Sequence, residues 1–177
     1  MVASDVPRPE LVLRIHVRIL AEPLHYSITA MVDAARRVFA TAGIRIQVVS
    51  ELLLNLPAMD LIRIGRCAQG DLTADQTRLF AEREGIPPDE VAVYFVLATY
   101  PDANGCAAHP PERPGALIAE CATAWTLAHE LGHLLGLGHV SDTRRLMIDT
   151  STELISVALP ELVPAEIRTM RASRLLR

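Results

Sequence analysis

His129-Glu130-Leu131-Gly132-His133-Leu134-Leu135-Gly136-Leu137-Gly138-His139 is the stretch on which the reading of this chain turns. It lies at the end of Thr123 to Leu135, whose apolar residues and following Gly136 predict a helix. On a helix four residues advance by ~400°, so His129 and His133 sit ~40° apart on one face, a turn apart. Two imidazoles so placed reach one metal ion. Glu130 is rotated ~100° from His129. That is too far for a comfortable third ligand, but within reach of a water on the metal. Gly136 lets the chain leave the helix sharply, because the position past a helix end often needs positive φ. The turn brings His139 round as a third nitrogen. Three neutral histidines leave the fourth position of a tetrahedral Zn²⁺ open, the mark of a catalytic site. The chemistry expected of such a site is peptide-bond hydrolysis without a covalent intermediate. Zinc acidifies the water towards pKa ~7 and polarises the carbonyl, while Glu130 serves as general base and then acid.

The spacing H-E-x-x-H-x-x-G-x-x-H, with Leu146-Met147 eight residues after His139, resembles the metzincin clan of zinc endopeptidases. The segment His139 to Met147 looks most like the matrixin version. Val140 stands where matrixins usually carry Ser, and no Tyr follows Met147. No Cys follows His139 to build the second zinc site of archaemetzincins, and no cysteine-switch motif appears, so the family within the clan is left open. The resemblance implies one zincin-like domain over residues 1–177, with a twisted mixed α/β sheet, an active-site helix and a C-terminal helix. It implies a single catalytic zinc held by His129, His133 and His139, with Met147 as a hydrophobic floor beneath it and Asp142 tying the turn to a neighbouring segment. The implied substrate is a polypeptide, added as an extended strand to an edge strand near Ala116 to Ala119. Residues Ile148 to Pro160 would wall the pocket past the scissile bond, and Ile155, Val157, Ala158 and Leu159 suggest an apolar preference there. Two other readings are a catalytically silent zinc-binding interaction module and a zinc hydrolase of a non-peptide amide.

The remainder of the 177 residues supports that frame. Half are hydrophobic, ample for a core. The net charge of −4 and the 4% aromatic content argue against a nucleic-acid binder. All 17 basic residues are Arg. No apolar run reaches the ~18 residues of a membrane span. Met1 to Glu10 has no basic patch followed by an apolar run, which leaves a cytoplasmic protein or an exported one without its signal. Oligomeric state is open, with a monomer favoured.

Leu11 to Leu20 alternates as a half-buried strand with Arg14, His16 and Arg18 on its polar phase. Ser27 to Ala42 has helical spacing, Ser27 as N-cap and Gly43 past the end. Ile44 to Val49 alternates again. Thr73-x-x-Gln76 matches a capping box opening a helix that stops near Gly85. Val91 to Ala98 fits a strand buried on both faces. Thr99 to Gly115, rich in Pro and Gly, reads as a long loop. Pro164 suits the first turn of a last helix through Arg171, with Arg168, Arg171, Arg174 and Arg177 on a solvated face. Trp125 reads as a core anchor.

Three cysteines are too few for a disulfide scaffold. Cys106 and Cys121 flank the Pro-rich loop and admit three states. They are free thiols if the protein is cytosolic, or a disulfide worth ~3 kcal/mol if it is exported. In the third, Cys106 or His109 reaches the zinc and silences it, as a propeptide thiol does in matrixins. Cys67 has no evident partner. His25 reads as a surface or capping residue.

Overall fold

The alternating segment at the start of the chain is β1 (Leu11–Ile19), one place in from the edge of a five-stranded sheet in the computed structural model. The structure describes residues 10–55, 63–65, 72–100, 103–108 and 112–177. After β1 come α1 (Ile28–Ala40), β2 (Ile44–Leu53), β3 (Arg63–Gly65), α2 (Ala74–Leu79), β4 (Val91–Val96), β5 (Ala98–Tyr100) and β6 (Gly105–Ala108). Then follow β7 (Gly115–Ala119), α3 (Thr126–Leu134), a 3-10 turn (Thr152–Leu154) and α4 (Pro164–Arg171). The sheet order is β2-β1-β4-β7-β6. The first four of these strands are parallel, and β6 runs antiparallel to β7. β3 and β5 form a separate parallel pair. This is the mixed α/β sheet the sequence predicts.

Alternation sorts the core into two layers. Leu13, Ile15, Val17, Val93, Phe95 and Ile118 face one way and pack under α1 and α3. Ala92, Tyr94, Val96 and Leu117 face the other way, against Ile64, Leu79 and Phe80. β4 is therefore buried along its whole length, as its unbroken apolar run requires. Ser27 caps α1 by accepting from Ala30 N at 3.1 Å. Thr73 and Gln76 close the capping box of α2. At the far end of α1 the Arg171 guanidinium donates to the carbonyls of Ala42 and Gly43 at 2.9 and 3.1 Å. A cation there suits the negative end of the helix dipole.

Several expectations need correction. Ala116 to Ala119 is not an edge: it belongs to β7, between β4 and β6. The edge is β6, inside the stretch read as loop. Gly-Cys-Ala-Ala has little β-propensity and its Pro-rich flanks mask it. The polar phase of β1 is not solvent-facing either. His16 and Arg18 are buried, with His16 Nε2 2.6 Å from Glu90 Oε2 and His16 Nδ1 2.8 Å from Ser50 Oγ. The arginines in and after α4 are not all solvated, since Arg171 caps α1 and Arg177 pairs with Asp89 and Glu90. Cys106 is disulfide-bonded while Cys121 is free and exposed, so the Cys106–Cys121 pair does not form. The β6–β7 register sets Cys106 opposite Leu117. Cys121 lies four residues farther along, roughly 10 Å or more away by strand rise, beyond the ~7 Å between Cα atoms that a disulfide spans. Cys67 and His109 lie outside the described residues.

Candidate metal centre and cleft

The helix α3 carries His129 and His133 one turn apart, as their spacing dictates. At Gly136 the chain adopts φ 92°, reachable because glycine has no Cβ, and swings back to present His139. The three Nε2 atoms converge: His129 to His133 is 3.1 Å, His133 to His139 is 3.0 Å and His129 to His139 is 3.3 Å. Carbonyl oxygens fix two of the rings. His129 Nδ1 donates to Leu146 O at 2.9 Å, and His133 Nδ1 donates to Leu137 O at 2.9 Å. A carbonyl only accepts, so Nδ1 holds the proton and Nε2 offers a lone pair on both rings. Burial pushes the His129 imidazole down to about 4, which keeps it neutral.

Three ring nitrogens converge, at least two of them presenting lone pairs, so the cluster suits a cation. Nitrogens ~2.0–2.1 Å from one zinc at near-tetrahedral angles lie about 3.3 Å apart, close to the spacing seen. Among the described residues, this is the one group of three or more His, Cys, Asp or Glu whose ligand atoms gather within 4.8 Å. The residues fit the ion.

Glu130 is 6% exposed and lines the cleft beside the histidines. Burial alone pushes its carboxyl up to about 8. Gly105 of the edge strand lies close against it: a Cβ there would stand 3.0 Å from Glu130 Cγ and 2.9 Å from Thr126 Cγ2. Met147 is fully buried and its sulfur abuts α3 at Gly132, where a Cβ would be 2.5 Å away. Val140 N donates to Met147 O at 2.7 Å, which folds the segment back under the helix. Asp142 acts locally, its carboxylate accepting from Arg144 N at 3.0 Å. Trp125 stands at the N-cap of α3, packed on the core with Arg37 over its ring at 5.5 Å.

These residues open on a cleft of about 730 Å³. On the far side of Glu130 it is lined by Ile148, Asp149, Thr150, Ser151 and Thr152. Ile155, Val157, Ala158 and Leu159 do not line it, and from this segment only Ile148 brings an apolar side chain to it. Cys106 lines the cleft but, being disulfide-bonded, has no thiol to offer the metal. The carbonyls of Leu137 and Leu146, Gly105 and the threonines were not found from sequence. Backbone acceptors leave no residue signature, though Thr126 stands three residues before His129 on the same helix face.

The matrixin family model matches residues 63–162, more than half of the chain. The chain belongs to the matrixin family. No curated protein gives a significant sequence match. This matrixin has the fold of metalloproteinase-II from Bacteroides fragilis (TM-score 0.68, 18% identity), covering 92% of this chain and 53% of that one. It thus spans about half the length of that protein. It also has the fold of an archaemetzincin from Methanopyrus kandleri (TM-score 0.60, 17% identity, 94% and 97% covered). A zinc-dependent peptidase from Methanocorpusculum labreanum is a further neighbour (TM-score 0.57, 13% identity, 88% and 99% covered). The fold is therefore zincin-like. Among the described residues no helix is long and apolar enough to cross a membrane.

Proposed function

We propose that this matrixin is a zinc endopeptidase whose ion is held by His129, His133 and His139, with Glu130 as general base and Met147 as the floor. The reading takes residues 1–177 as one catalytic domain, since Arg177 N and O bond to Val12 and close the first strand with the last residues. The observation that carries it is the convergence of three Nε2 atoms within 3.3 Å, two of them aimed by backbone carbonyls. Bound zinc supplies a Lewis acid that makes a water more acidic and a scissile carbonyl more electrophilic.

The protein does the remainder. A polypeptide lies along β6, whose outer edge has no strand partner among the described residues. Backbone groups there hold it in extended form with little regard to sequence. Glu130 takes a proton from the attacking water as the C–O bond forms. It hands that proton to the amide nitrogen as the C–N bond breaks, and the second proton of the water also passes to the amine, so that an ammonium and a carboxylate are released. Its neighbours hold the carboxylate in place: His129 precedes it on a rigid helix, and Gly105 packs on its stem.

The experiment compares wild type with Glu130→Ala. Bound zinc is quantified in both, and both are incubated with an unfolded protein. Equal zinc, with cleavage at internal bonds by wild type and at least ~10³-fold slower cleavage by the variant, is the expected result. Equal zinc with cleavage by neither overturns the proposal in favour of a silent zinc-binding module.

A further inference from the structure

The strand along which the polypeptide lies, β6, has little of its own to hold it in place. It pairs with β7 over four residues, from Gly105 opposite Ile118 to Ala108 opposite Gly115. Its outer edge has no strand partner among the described residues. Glycine and alanine are weak strand formers, and Gly-Cys-Ala-Ala has a single side chain larger than a methyl group. That side chain is Cys106. Alternation turns Gly105 and Ala107 toward α3, where Gly105 lies against Glu130 and Ala107 packs on the core beneath the helices. Cys106 points the other way, onto the layer of Ile64, Leu79, Phe80 and Leu117.

Cys106 is also disulfide-bonded. Gln76 Nε2 stands 3.9 Å from its sulfur and donates to Gly65 O at 2.6 Å, which sets the sulfur beside α2 and the end of β3. A crosslink in so short a strand limits how far the strand can leave the sheet, and it falls on the residue with the only sizeable side chain. The bond is within reach of solvent, because Cys106 is half-buried and borders the cleft. Disulfides open to solvent are the labile ones.

We propose that the Cys106 disulfide is a redox switch on substrate binding. Closed, it keeps β6 in register as a template for the polypeptide. Opened, it lets the strand fray, and the polypeptide must order it again on binding. The reductant is a dithiol. One of its thiolates attacks the disulfide, a mixed disulfide forms, and its second thiol displaces the remaining protein sulfur. The S–S bond of the protein is lost, two electrons and two protons pass to its sulfurs, and the dithiol leaves as a cyclic disulfide. The freed Cys106 thiol faces away from α3, so the switch acts on the strand and not by ligating the metal. This rests on the endopeptidase reading above and adds its regulation.

The test opens the bond in zinc-loaded wild type with a tertiary phosphine, which takes oxygen from water as the sulfurs take the electrons and protons, and then closes it again by reoxidation. Intact mass follows the bond. Opening is expected to raise KM for an unfolded protein about tenfold, as when the ordered strand is populated about a tenth of the time, with kcat within about twofold and bound zinc unchanged. Amide hydrogen exchange over Gly105 to Ala108 should speed up while that of α3 stays slow. Closing restores both. Cys106→Ser starts at the raised KM and does not respond to phosphine, whereas Cys121→Ser keeps the full response. The wild-type cycle needs no substitution, so a variant that fails to fold leaves the test standing. An unchanged KM with the bond open, unchanged exchange in β6, or zinc lost on opening overturns this inference and leaves the endopeptidase intact. No cleavage by zinc-loaded wild type with the bond closed overturns both.

Discussion

His129 shows how much one residue does at this centre. Its Nδ1 proton goes to the carbonyl of Leu146, which aims Nε2 at the other two histidines. Met147, the next residue, packs under the same helix. The carbonyl partner thus fixes the direction in which the ring nitrogen points. Second partners of this kind are commonly worth 10–100-fold in metal affinity. His133 makes the matching bond to Leu137 O and faces both other histidines at close range. Replacing it by Ala leaves two nitrogens, which hold zinc poorly against water. His133→Ala is expected to retain less than about a tenth of the wild-type zinc after dialysis against a weak chelator, read by elemental analysis. Adding zinc in excess should raise the melting temperature of wild type and leave that of the variant nearly unmoved, because only a ligand bound to the native state shifts the equilibrium. Full zinc in the variant would remove His133 from the ligand set.

At the scale of elements, close approach of backbones decides what sequence periodicity does not. β7 lies against α2 because Gly115 has no side chain: a Cβ there would stand 2.4 Å from Phe80 Cε1 and 3.1 Å from Ala92 O. Phe80 is fully buried and edge-on to Tyr94, with ring centroids 5.4 Å apart, so it has no room to retreat. Gly115→Ala is expected to destabilise the protein by about 1–3 kcal/mol, measured by denaturant unfolding, through overpacking. Phe80→Leu should cost stability alone yet recover part of the loss when combined with Gly115→Ala. Additive losses would place the strain elsewhere. The same reasoning explains what was legible in the sequence. Strong periods and caps marked β1, α1, α2 and the helix α3, and the eleven-residue motif held the three histidines that come together, two of them by i, i+4 spacing and the third by the turn at Gly136. The edge strand β6 was missed because Gly-Cys-Ala-Ala carries no alternation. His16 was misplaced because a strand's polar phase looks the same whether it meets water or a buried carboxylate.

Across the whole molecule, that carboxylate joins β1 to the segment after α4. Glu90 is 3% exposed and stands in ion-pair range of Arg14 Nε at 2.8 Å, His16 Nε2 at 2.6 Å and Arg177 Nη1 at 3.2 Å. The first strand, the segment before β4 and the last residue thus meet at one buried charge. Leu176 bridges Leu13 in the same region. By alternation, Arg14 and His16 point away from Leu13, Ile15 and Val17, which pack toward the active helix. The cluster and the metal centre lie on opposite faces of the sheet, so stability and catalysis should separate. Glu90→Gln removes the charge and leaves Arg14 and Arg177 facing an amide. Breaking a buried pair from one side costs about 3–5 kcal/mol. Arg177 is half exposed, and solvent screens it, so Arg177→Ala should cost no more than about 1 kcal/mol. Denaturant unfolding should therefore rank Glu90→Gln well below Arg177→Ala, while the two folded proteins bind zinc with wild-type stoichiometry and cleave at wild-type kcat. Equal stabilities would mean that solvent reaches Glu90 in the native state. Lost zinc in Glu90→Gln would mean that the two faces of the sheet are coupled.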